Sequence, residues 1–315
     1  MKIYRDIKKF NVANAVIAIG SFDGVHLGHK EIIRKVREIS KKINGESVIF
    51  TFYPHPRQVL FPDDKNLKII TTIEEKEELF EKAGIQHLII YPFTKEFSNL
   101  NYKNFVREIL VKKLHIKALV IGYDHHFGKN REGGCDMLDD LSKIYHFPVY
   151  KTSAITIENL NISSTRIRKM LEKGEIENTN RLLGYHFRLY GTVVEGYKTG
   201  RKINFPTANI KPLNENKIIP GRGVYAVSVY ENNKFYPGML NIGIRPTVNH
   251  KDNIQNIEVH IIGFQGNLYS KNLKINFYKK IREEQDFKSL ENLQKQLETD
   301  KKNILDFFRS VNFQS

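Results

Sequence analysis

The sequence has a single cysteine, Cys135, and no long apolar run. One cysteine excludes an internal disulfide, and nothing beside it has the spacing of a zinc ligand, so we expect an inert thiol. The amino-terminal residues lack the apolar core of a secretory signal, and the longest apolar stretches, 13–19 and 88–91, are far too short to span a bilayer. Internal repeats and low-complexity tracts are also lacking. We therefore expect a cytoplasmic protein without a membrane partner.

Positive charge is abundant but dispersed. The formal net charge is +15, from 50 Lys and Arg against 35 Asp and Glu. Lysines recur every few residues among abundant Asn and Ile, which favours a drift in background composition over a concentrated nucleic-acid surface. A positive overall field also attracts small anionic ligands. Because no recognition helix or RNA-binding aromatic motif is present, we expect no nucleic-acid partner.

The first half of the chain has the pattern of an α/β domain. At 315 residues, 40% hydrophobic and 27% charged, the chain is long enough for two folded domains. Short β-branched runs alternate with stretches of helical spacing, which predicts a parallel sheet with helices on both faces. The predicted strands are 16–19, 47–52, 87–91, 118–121 and 148–151, and the predicted helices are 30–42, 73–82, 102–114, 135–145 and 163–173.

The second half is rich in closely spaced strands divided by Gly, Pro and Asn. This pattern predicts a small closed β-barrel. The predicted strands are 187–194, 223–230, 234–240, 255–262 and 273–279, and a helix packed on the barrel is predicted for 287–308. We place the boundary near 181–185, which gives domains 1–183 and 184–315.

A glycine-rich segment between the first strand and the first long helix predicts a phosphate site. It comprises Gly20, Ser21, Phe22, Asp23, Gly24, Val25, His26, Leu27, Gly28 and His29. Ligands of open α/β sheets lie at such strand ends, glycines allow close approach, and the helix start presents N–H groups. Being three residues apart, His26 and His29 share one helix face, where imidazole N–H groups can stabilise charge on a transferring phosphate. For a histidine pair alone, core packing is the simpler interpretation.

Three further segments lie where the same sheet presents them. Residues 52–56 end the second strand and read equally as a proline-stiffened loop. Residues 122–128 offer Asp124, whose carboxylate also suits ordinary turn chemistry. Residues 162–168 open the last helix of this half, where Ser163 or Ser164 fits an N-cap. The same segment supplies hydroxyls and the guanidinium groups of Arg166 and Arg168 for phosphate oxygens.

Together these segments resemble the nucleotidyltransferase superfamily. The match of 20–29 with 52–56 and 122–128 looks like the FMN adenylyltransferase half of the bacterial bifunctional riboflavin kinase/FAD synthetases. The resemblance implies that His26 and His29 are catalytic residues on the ATP phosphates, and that Ser164 and Arg168, the latter also catalytic, close over them. It implies an ATP-binding set of Gly20, Phe22, Asp23, Gly24, Gly28, Asp124, Ser163, Ser164 and Thr165, with Asp124 near nucleotide or flavin.

The carboxy-terminal half contains a second glycine-rich loop, 191–201. It fails as a Walker A loop because Tyr197 stands where the lysine belongs, and a β-hairpin loop is its simplest interpretation. Downstream, Thr207 and Asn209 alternate in an extended chain, so their oxygens can serve one hard cation, or simply form a polar edge after a proline. Glu258 alternates with apolar neighbours and therefore faces away from them, as a general base or as a solvent-facing side chain.

Four motifs in order, within 196–201, 204–209, 221–226 and 241–247, resemble the riboflavin kinase domain across nearly its whole length. The resemblance implies a six-stranded barrel with Glu258 as the catalytic glutamate and with Mg2+ linked to Thr207 and Asn209. It implies flavin near Arg282 and Glu284. The implied ATP-binding residues are Gly196, Lys198, Gly200, Arg201 and Pro206.

The two resemblances imply a two-step enzyme that uses ATP twice. Riboflavin is phosphorylated to FMN in the carboxy-terminal part, and FMN is adenylated to FAD, with release of pyrophosphate, in the amino-terminal part. One alternative is an FMN adenylyltransferase with a degenerate flavin-binding barrel, and another class is a nucleic-acid-binding or flavin-sensing regulator. The sequence departs from the family pattern at His125, where Phe is expected, at Asn204 and Ser270, where Gly is usual, and at Gly263, where Asp is frequent. It leaves the oligomeric state open.

Overall fold

The computed structural model describes residues 1–64, 67–123, 128–129, 132–153, 156–157, 160–196, 200, 203–232, 234–245, 254–287 and 289–311. Contacts divide the chain into two compact units, Met1–Ser164 and Thr165–Ser315. The boundary between the two activities, placed between residues 183 and 184, stays a prediction. Among the described residues, no helix is long and apolar enough to cross a membrane. Five residues singled out from the sequence lie outside the described residues: Asp124, His125, Tyr197, Lys198 and Arg201.

The first unit is built on a parallel sheet. Its strands are β1 (Lys2–Tyr4), β2 (Ala15–Ile19), β3 (Glu46–Tyr53), β4 (His87–Pro92), β5 (Ile116–Ile121) and β6 (Val149–Lys151), with a hairpin of β7 (Thr156–Ile157) and β8 (Leu160–Asn161). Its helices are α1 (Leu27–Lys42), α2 (Pro56–Leu60), α3 (Ile73–Lys82), α4 (Lys95–Ser98), α5 (Tyr102–Asn104) and α6 (Cys135–Tyr145). A 3₁₀ turn spans Ile7–Lys9, and a π-helical segment spans Phe105–Val111.

The strand order confirms the predicted α/β fold and locates its crevice. The order is β1-β4-β3-β2-β5-β6, and every pair is parallel. The chain leaves β2 for β3 on one side and later enters β5 on the other, so the order reverses at β2. In open α/β sheets, ligands bind at the carboxyl ends of the strands beside such a reversal. Here those ends are Ile19 of β2 and Ile121 of β5.

The core explains why most predicted elements formed. All five residues of β2 are buried, as expected for a central parallel strand that reads as one apolar run. The predicted helix 102–114 is the exception, because it forms α5 and the π-helical segment. It still buries one apolar face, through Phe105, Val106, Ile109 and Leu110.

The second unit confirms the predicted barrel. The strands β9 (Arg188–Val194), β10 (Ala208–Pro212), β11 (Gly223–Glu231), β12 (Lys234–Arg245), β13 (Ile254–Ile261) and β14 (Asn272–Arg282) close in the order β10-β13-β12-β11-β14-β9. The helices are α7 (Ser164–Glu172), whose first residue ends the first unit, α8 (Ile176–Leu183) and the carboxy-terminal α9 (Leu290–Ser310). Two elements, β10 (ANIKP) and α8 (IENTNRLL), were not predicted, because polar residues interrupt the apolar pattern in both.

The helix α9 covers part of the outer face of the barrel. Its residues Ile304 and Phe308 pack in one cluster with Phe205, Ala226 and Met239. The barrel interior is filled by the alternate residues of the same strands, among them Val227, Leu240, Val259, Ile275 and Phe277. The polar side chains of β10, β12 and β13 therefore lie on the outer face of the barrel, beside α9.

Three departures from the family pattern fall at left-handed backbone positions. The φ angles are +59° at Asn204, +62° at Ser270 and +79° at Gly263. Asn adopts this conformation more readily than other residues with a Cβ, so the substitution at Asn204 costs little. Ser lacks this preference, and Ser270 carries the larger backbone cost.

Candidate active sites

The amino end of α1 carries a stacked pair of histidines. His26 is the N-cap, and its Nδ1 accepts a hydrogen bond from the backbone N of His29 at 3.4 Å, which places the proton of the neutral ring on Nε2. The two rings lie nearly parallel, with centroids 3.6 Å apart. Burial and the charges of His26 and Lys76 lower the pKa of His29 well below its ordinary value. The pair therefore offers neutral N–H donors at a helix start, where anions bind.

His29 has one polar atom that the surrounding protein does not satisfy. Its Nδ1 is buried and has no hydrogen-bond partner within the part of the chain that the structure describes. Such groups are rare and call for a partner from outside the protein. Gly28 lets the ring of His26 lie close to the backbone of α1, because a Cβ at residue 28 would lie only 3.2 Å from Nδ1 of His26.

The buried carboxylate of Asp23 stabilises the glycine-rich loop 20–29. It is 1% exposed, and its Oδ1 accepts hydrogen bonds from the backbone N of Ile70 at 2.9 Å and of Thr71 at 3.0 Å. The hydroxyl of Thr71 in turn accepts a hydrogen bond from the backbone N of Gly24 at 2.8 Å. Asp23 was predicted to bind ATP, and the structure gives its carboxylate a part in shaping the loop.

The same loop holds unusual backbone angles. Phe22 has a φ of +46° and Val25 a φ of +36°, beside Gly24 at +88°. Positive φ is rare for a β-branched residue, and each such position costs about 1–3 kcal/mol. The ring of Phe22 is buried edge-on against His29, at a centroid distance of 5.2 Å, and a Cβ on Gly20 would lie 3.3 Å from that ring. The packing enforces the strained turn that presents the histidines.

Lys76 is a residue that sequence reasoning missed. It is 4% exposed, and its Nζ donates a hydrogen bond to the carbonyl oxygen of Ser21 at 2.7 Å. The hydroxyl of Thr51 donates to the same oxygen at 3.3 Å. The sequence did contain a signal for it. Helical spacing places residue 76 on the same face as Ile73 and Phe80, and a lysine on that core-facing side indicates a buried charge.

The start of α7 reaches the glycine loop. The hydroxyl of Ser164 donates a hydrogen bond to the carbonyl oxygen of Asp23 at 2.8 Å, so residues 141 positions apart meet. Ser163 is exposed, and Thr165 and Arg168 lie in the second unit.

The segment 52–56, predicted as a ligand segment or a stiff loop, ends β3 and begins α2. His55 is the N-cap of α2, and its Nδ1 accepts a hydrogen bond from the backbone N of Arg57 at 3.2 Å. Gln58 completes a capping box by accepting a hydrogen bond from the backbone N of His55. The local contacts of His55 are thus those of a helix cap.

In the second unit, a polar row crosses three barrel strands. Asn209 of β10 pairs with Glu258 of β13, which pairs with Asn241 of β12. Directly paired residues point to the same side of a sheet. The neighbours of Glu258, Ile257 and Val259, are buried in the interior, so the row lies on the outer face. We call Asn209, Glu258 and Asn241 the polar row.

The carboxylate of Glu258 is held at both oxygens. The hydroxyl of Thr207 donates to Oε2 at 2.9 Å, and the side-chain amide of Asn256 donates to Oε1 at 2.7 Å. Because the hydroxyl proton of Thr207 is directed to Glu258, the lone pairs of the same oxygen face elsewhere, as a cation ligand requires. Sequence reasoning missed Asn256, although it lies two residues from Glu258 on the same face.

The glycine loop of the second unit lies directly on this site. A Cβ on Gly196 would lie 2.0 Å from the Asn209 amide nitrogen, and one on Gly200 would lie 2.1 Å from the Phe205 carbonyl oxygen. The backbone N of Phe205 donates to the carbonyl oxygen of Gly200 at 2.9 Å. Both glycines are therefore required by close approach. The next residue, Pro206, uses its carbonyl oxygen in a 2.9 Å hydrogen bond with Nδ1 of His260.

The two residues predicted to lie near flavin differ in their contacts. Glu284 lies against Gly243 of β12, since a Cβ on that glycine would meet the carboxylate, and Gly243 follows Asn241 by two residues on the same face. Arg282 instead pairs with Asp300 of α9, with a nitrogen to oxygen distance of 2.9 Å, and Asp300 is 1% exposed. The guanidinium of Arg282 thus fastens α9 to the barrel.

No preformed metal cage is present in the described ranges of the chain, because no group of three or more His, Cys, Asp or Glu there could hold an ion. Mg2+ does not need one, since it is commonly bound through one or two protein oxygens together with substrate phosphates. The oxygens of Thr207 and Asn209, with Glu258 behind the hydroxyl, fit this mode of binding.

Comparisons with known proteins assign both halves. Residues 8–166 match the family model for FAD synthetase, and residues 183–308 match the one for riboflavin kinase. The bifunctional riboflavin kinase/FMN adenylyltransferase of Buchnera aphidicola subsp. Schizaphis graminum is 38% identical, over 99% of this chain and 100% of that protein. The protein of the same description from Listeria monocytogenes is 39% identical, over 95% of this chain and 94% of the relative.

A solved structure shares the fold over nearly the whole chain. It is a protein of Streptococcus pneumoniae described as a macrolide-efflux protein, with a TM-score of 0.86, 28% identity and coverage of 95% of this chain and 97% of that one. The FAD synthetase match contains the histidine pair, and the riboflavin kinase match contains the polar row. On these matches, the chain belongs to the family of bifunctional riboflavin kinase/FMN adenylyltransferases.

Proposed function

We propose that the chain carries out both reactions of its family, each in its own unit. The second unit transfers the γ-phosphoryl group of ATP to riboflavin, giving FMN and ADP. The loop 20–29 of the first unit directs the transfer of AMP from a second ATP to FMN, giving FAD and pyrophosphate. The partners are then ATP, riboflavin and FMN, and the compartment that supplies them, the cytoplasm, is where we expect the protein to work.

The observation that carries this proposal is the contact of Thr207 with Glu258, a member of the polar row, in a unit separate from the histidine pair. A barrel that had lost its kinase chemistry would have no need to keep a hydroxyl, a carboxylate and two glycines in tight register. This arrangement favours two active sites over an adenylyltransferase with a degenerate barrel.

In the kinase reaction, Glu258 acts on the primary alcohol at the end of the ribityl chain. Its carboxylate accepts the proton as the oxygen–phosphorus bond forms and the bond from γ-phosphorus to the bridging oxygen of ADP breaks. Asn256 and Thr207 hold the carboxylate in one orientation, which avoids reorganisation during the reaction. The loop at Gly196 and Gly200 lies close enough to Thr207 and Asn209 to bind the phosphates beside them.

In the adenylyl transfer, a phosphate oxygen of FMN attacks the α-phosphorus of ATP while the bond to pyrophosphate breaks. Negative charge builds up on the leaving group, and His26 and His29 stabilise it with N–H donors at the start of α1. The unsatisfied Nδ1 of His29 gains a partner when nucleotide binds. Ser164 supports the loop through the carbonyl oxygen of Asp23.

Magnesium is the metal that the donor set of the kinase site suits. Thr207 and Asn209 would supply neutral oxygens to the ion, and the substrate phosphates would supply further ligands. The bound ion would neutralise phosphate charge during transfer. The protein's own contribution is to orient the Thr207 hydroxyl, which the contact with Glu258 does.

Two single substitutions test the assignment of separate sites. His29→Ala should abolish FAD formation from FMN while riboflavin is still converted to FMN, and Glu258→Gln should do the reverse. Purified protein is incubated with ATP, magnesium and either flavin, and the products are separated by chromatography. The proposal fails if wild-type protein makes FAD from FMN but never FMN from riboflavin, or if each folded variant loses both activities.

A regulator that binds nucleic acid is the competing class. It would show tight, salt-dependent binding of nucleic acid and no turnover of flavin. The same incubation with ATP and flavin distinguishes the two, because turnover by wild-type protein excludes a pure binding function.

A further inference from the structure

His260 is a buried histidine of β13 that the proposed chemistry does not use. It is 8% exposed and lies two residues from Glu258, so both side chains emerge on the outer face of the barrel. Its Nδ1 is 2.9 Å from the carbonyl oxygen of Pro206. A carbonyl oxygen only accepts, so the ring carries a proton on Nδ1 and donates it.

The hydrogen bond fixes the peptide plane that precedes Thr207. A peptide unit is planar, so holding the carbonyl oxygen of Pro206 also sets the direction in which the chain enters Thr207. The hydroxyl of Thr207 then reaches Oε2 of Glu258 at 2.9 Å. The two contacts anchor neighbouring residues of one loop to the same strand, and proline has no N–H to offer a third anchor.

The ring of His260 packs against Phe205, which belongs to the same loop as Thr207. Its centroid is 5.1 Å from the ring of Phe205, which packs in one cluster with Ile304 and Phe308 of α9. Nζ of Lys301 lies 5.9 Å from the centroid of the Phe205 ring. His260 therefore connects strand β13 to the segment that presents Thr207, and Phe205 connects the same segment to α9.

We propose that His260 is a positioning residue of the kinase site, which holds Pro206 so that Thr207 presents its oxygen toward the phosphates of ATP. The inference rests on the proposed kinase function and adds a residue to it. His260 touches neither substrate nor metal, and its effect passes through the Pro206–Thr207 peptide.

Two substitutions separate a donor role from a packing role. His260→Asn keeps an N–H at nearly the position of Nδ1 but removes the ring, whereas His260→Phe keeps the ring against Phe205 but removes the donor. We expect His260→Phe to lower kcat/KM for ATP in FMN formation about tenfold, as the loss of one hydrogen bond to a positioned group does. The loss should appear as a rise in the KM for ATP rather than in that for riboflavin. His260→Asn should stay within about threefold of wild type.

The matched control is His186→Phe. His186 lies in the same unit, outside the polar row, and its ring packs at a tilt against Tyr278 with a centroid distance of 3.9 Å. We expect its kinase kinetics to remain those of wild type, and FAD formation from FMN to remain unchanged in all three variants. Thermal unfolding reports whether each variant is folded.

The outcomes are distinct. Retention of activity in His260→Phe with loss in His260→Asn would show a packing role and overturn the inference, as would equal loss in both folded variants. If His260→Phe does not fold, His260→Asn alone tests the inference. Kinetics within about threefold of wild type support a donor role, and a tenfold loss of kcat/KM for ATP contradicts it. If wild-type protein forms no FMN from riboflavin, the proposed kinase function fails and takes this inference with it.

Discussion

Replacing Gly196 with alanine places a methyl group where the Asn209 side chain lies. The new Cβ would stand 2.0 Å from the amide nitrogen and 2.6 Å from Cγ of Asn209, whereas ordinary contact begins at 3.4 Å. The loop or the amide must therefore shift by about 1.4 Å. Asn209 is 9% exposed and paired with Glu258, so the shift reaches the polar row.

A displacement of this size is large on the scale of catalysis. Misplacing a reacting group by about 1 Å costs on the order of 10²-fold in rate, because the aligned geometry is lost. We expect Gly196→Ala to lower kcat/KM for FMN formation about 100-fold. FAD formation from supplied FMN should be unaffected, since the histidine pair lies in the other unit.

The assay measures both products in parallel, with Gly134→Ala as the control. A Cβ on Gly134 meets nothing within 4 Å, and its φ of −112° suits alanine. Near-normal FMN formation by Gly196→Ala would refute the close approach of loop and Asn209 as a functional requirement. Loss of both activities in a folded variant would refute the separation of the sites.

Three further predictions concern stability, each measured by urea unfolding. Ser270→Gly should add about 1 kcal/mol, because Ser270 holds a φ of +62° that glycine adopts without cost, and an unchanged midpoint would contradict this. Asp300→Ala and Arg282→Ala should each lose about 3 kcal/mol, since each leaves one charge of a buried pair alone, and a loss under about 1 kcal/mol would show that the pair is not desolvated. Burial lowers the pKa of His29 well below 6.5, so the unfolded chain binds a proton there that the folded chain does not, and stability falls as pH drops below about 6.5. His29→Gln should reduce that slope, by at most about 1.4 kcal/mol per pH unit, and an identical slope would contradict the buried neutral ring.

Local sequence pattern was sufficient for the regular elements. The strand β2 is apolar at every position and has a glycine at its end, so its place in a buried parallel sheet follows from burial on both faces. The barrel strands alternate apolar and polar residues, and that period by itself assigns Glu258 to the opposite face from its neighbours. Short elements such as β10 and α8 escaped prediction because few residues carry the pattern.

The sequence pattern did not predict individual backbone angles or the packing partners of single side chains. The sequence showed Asn204 and Ser270 as departures from glycine, but only the fold revealed that both stand at positive φ, where asparagine is tolerated better than serine. Arg282 illustrates the same limit. Its motif predicted proximity to flavin, whereas its ion pair with Asp300 depends on where α9 packs.

The sequence alone determined the two fold classes, the two glycine-rich loops and the residue types able to perform phosphate chemistry, because these depend on local period and on chemical identity. The tertiary structure decided which of these residues meet. Thr207 and Glu258 are 51 positions apart and touch only because β10 and β13 are neighbours in a closed barrel. Lys76 and His260 acquire their roles in the same way, since long-range contacts of single polar side chains leave no periodic trace in the chain.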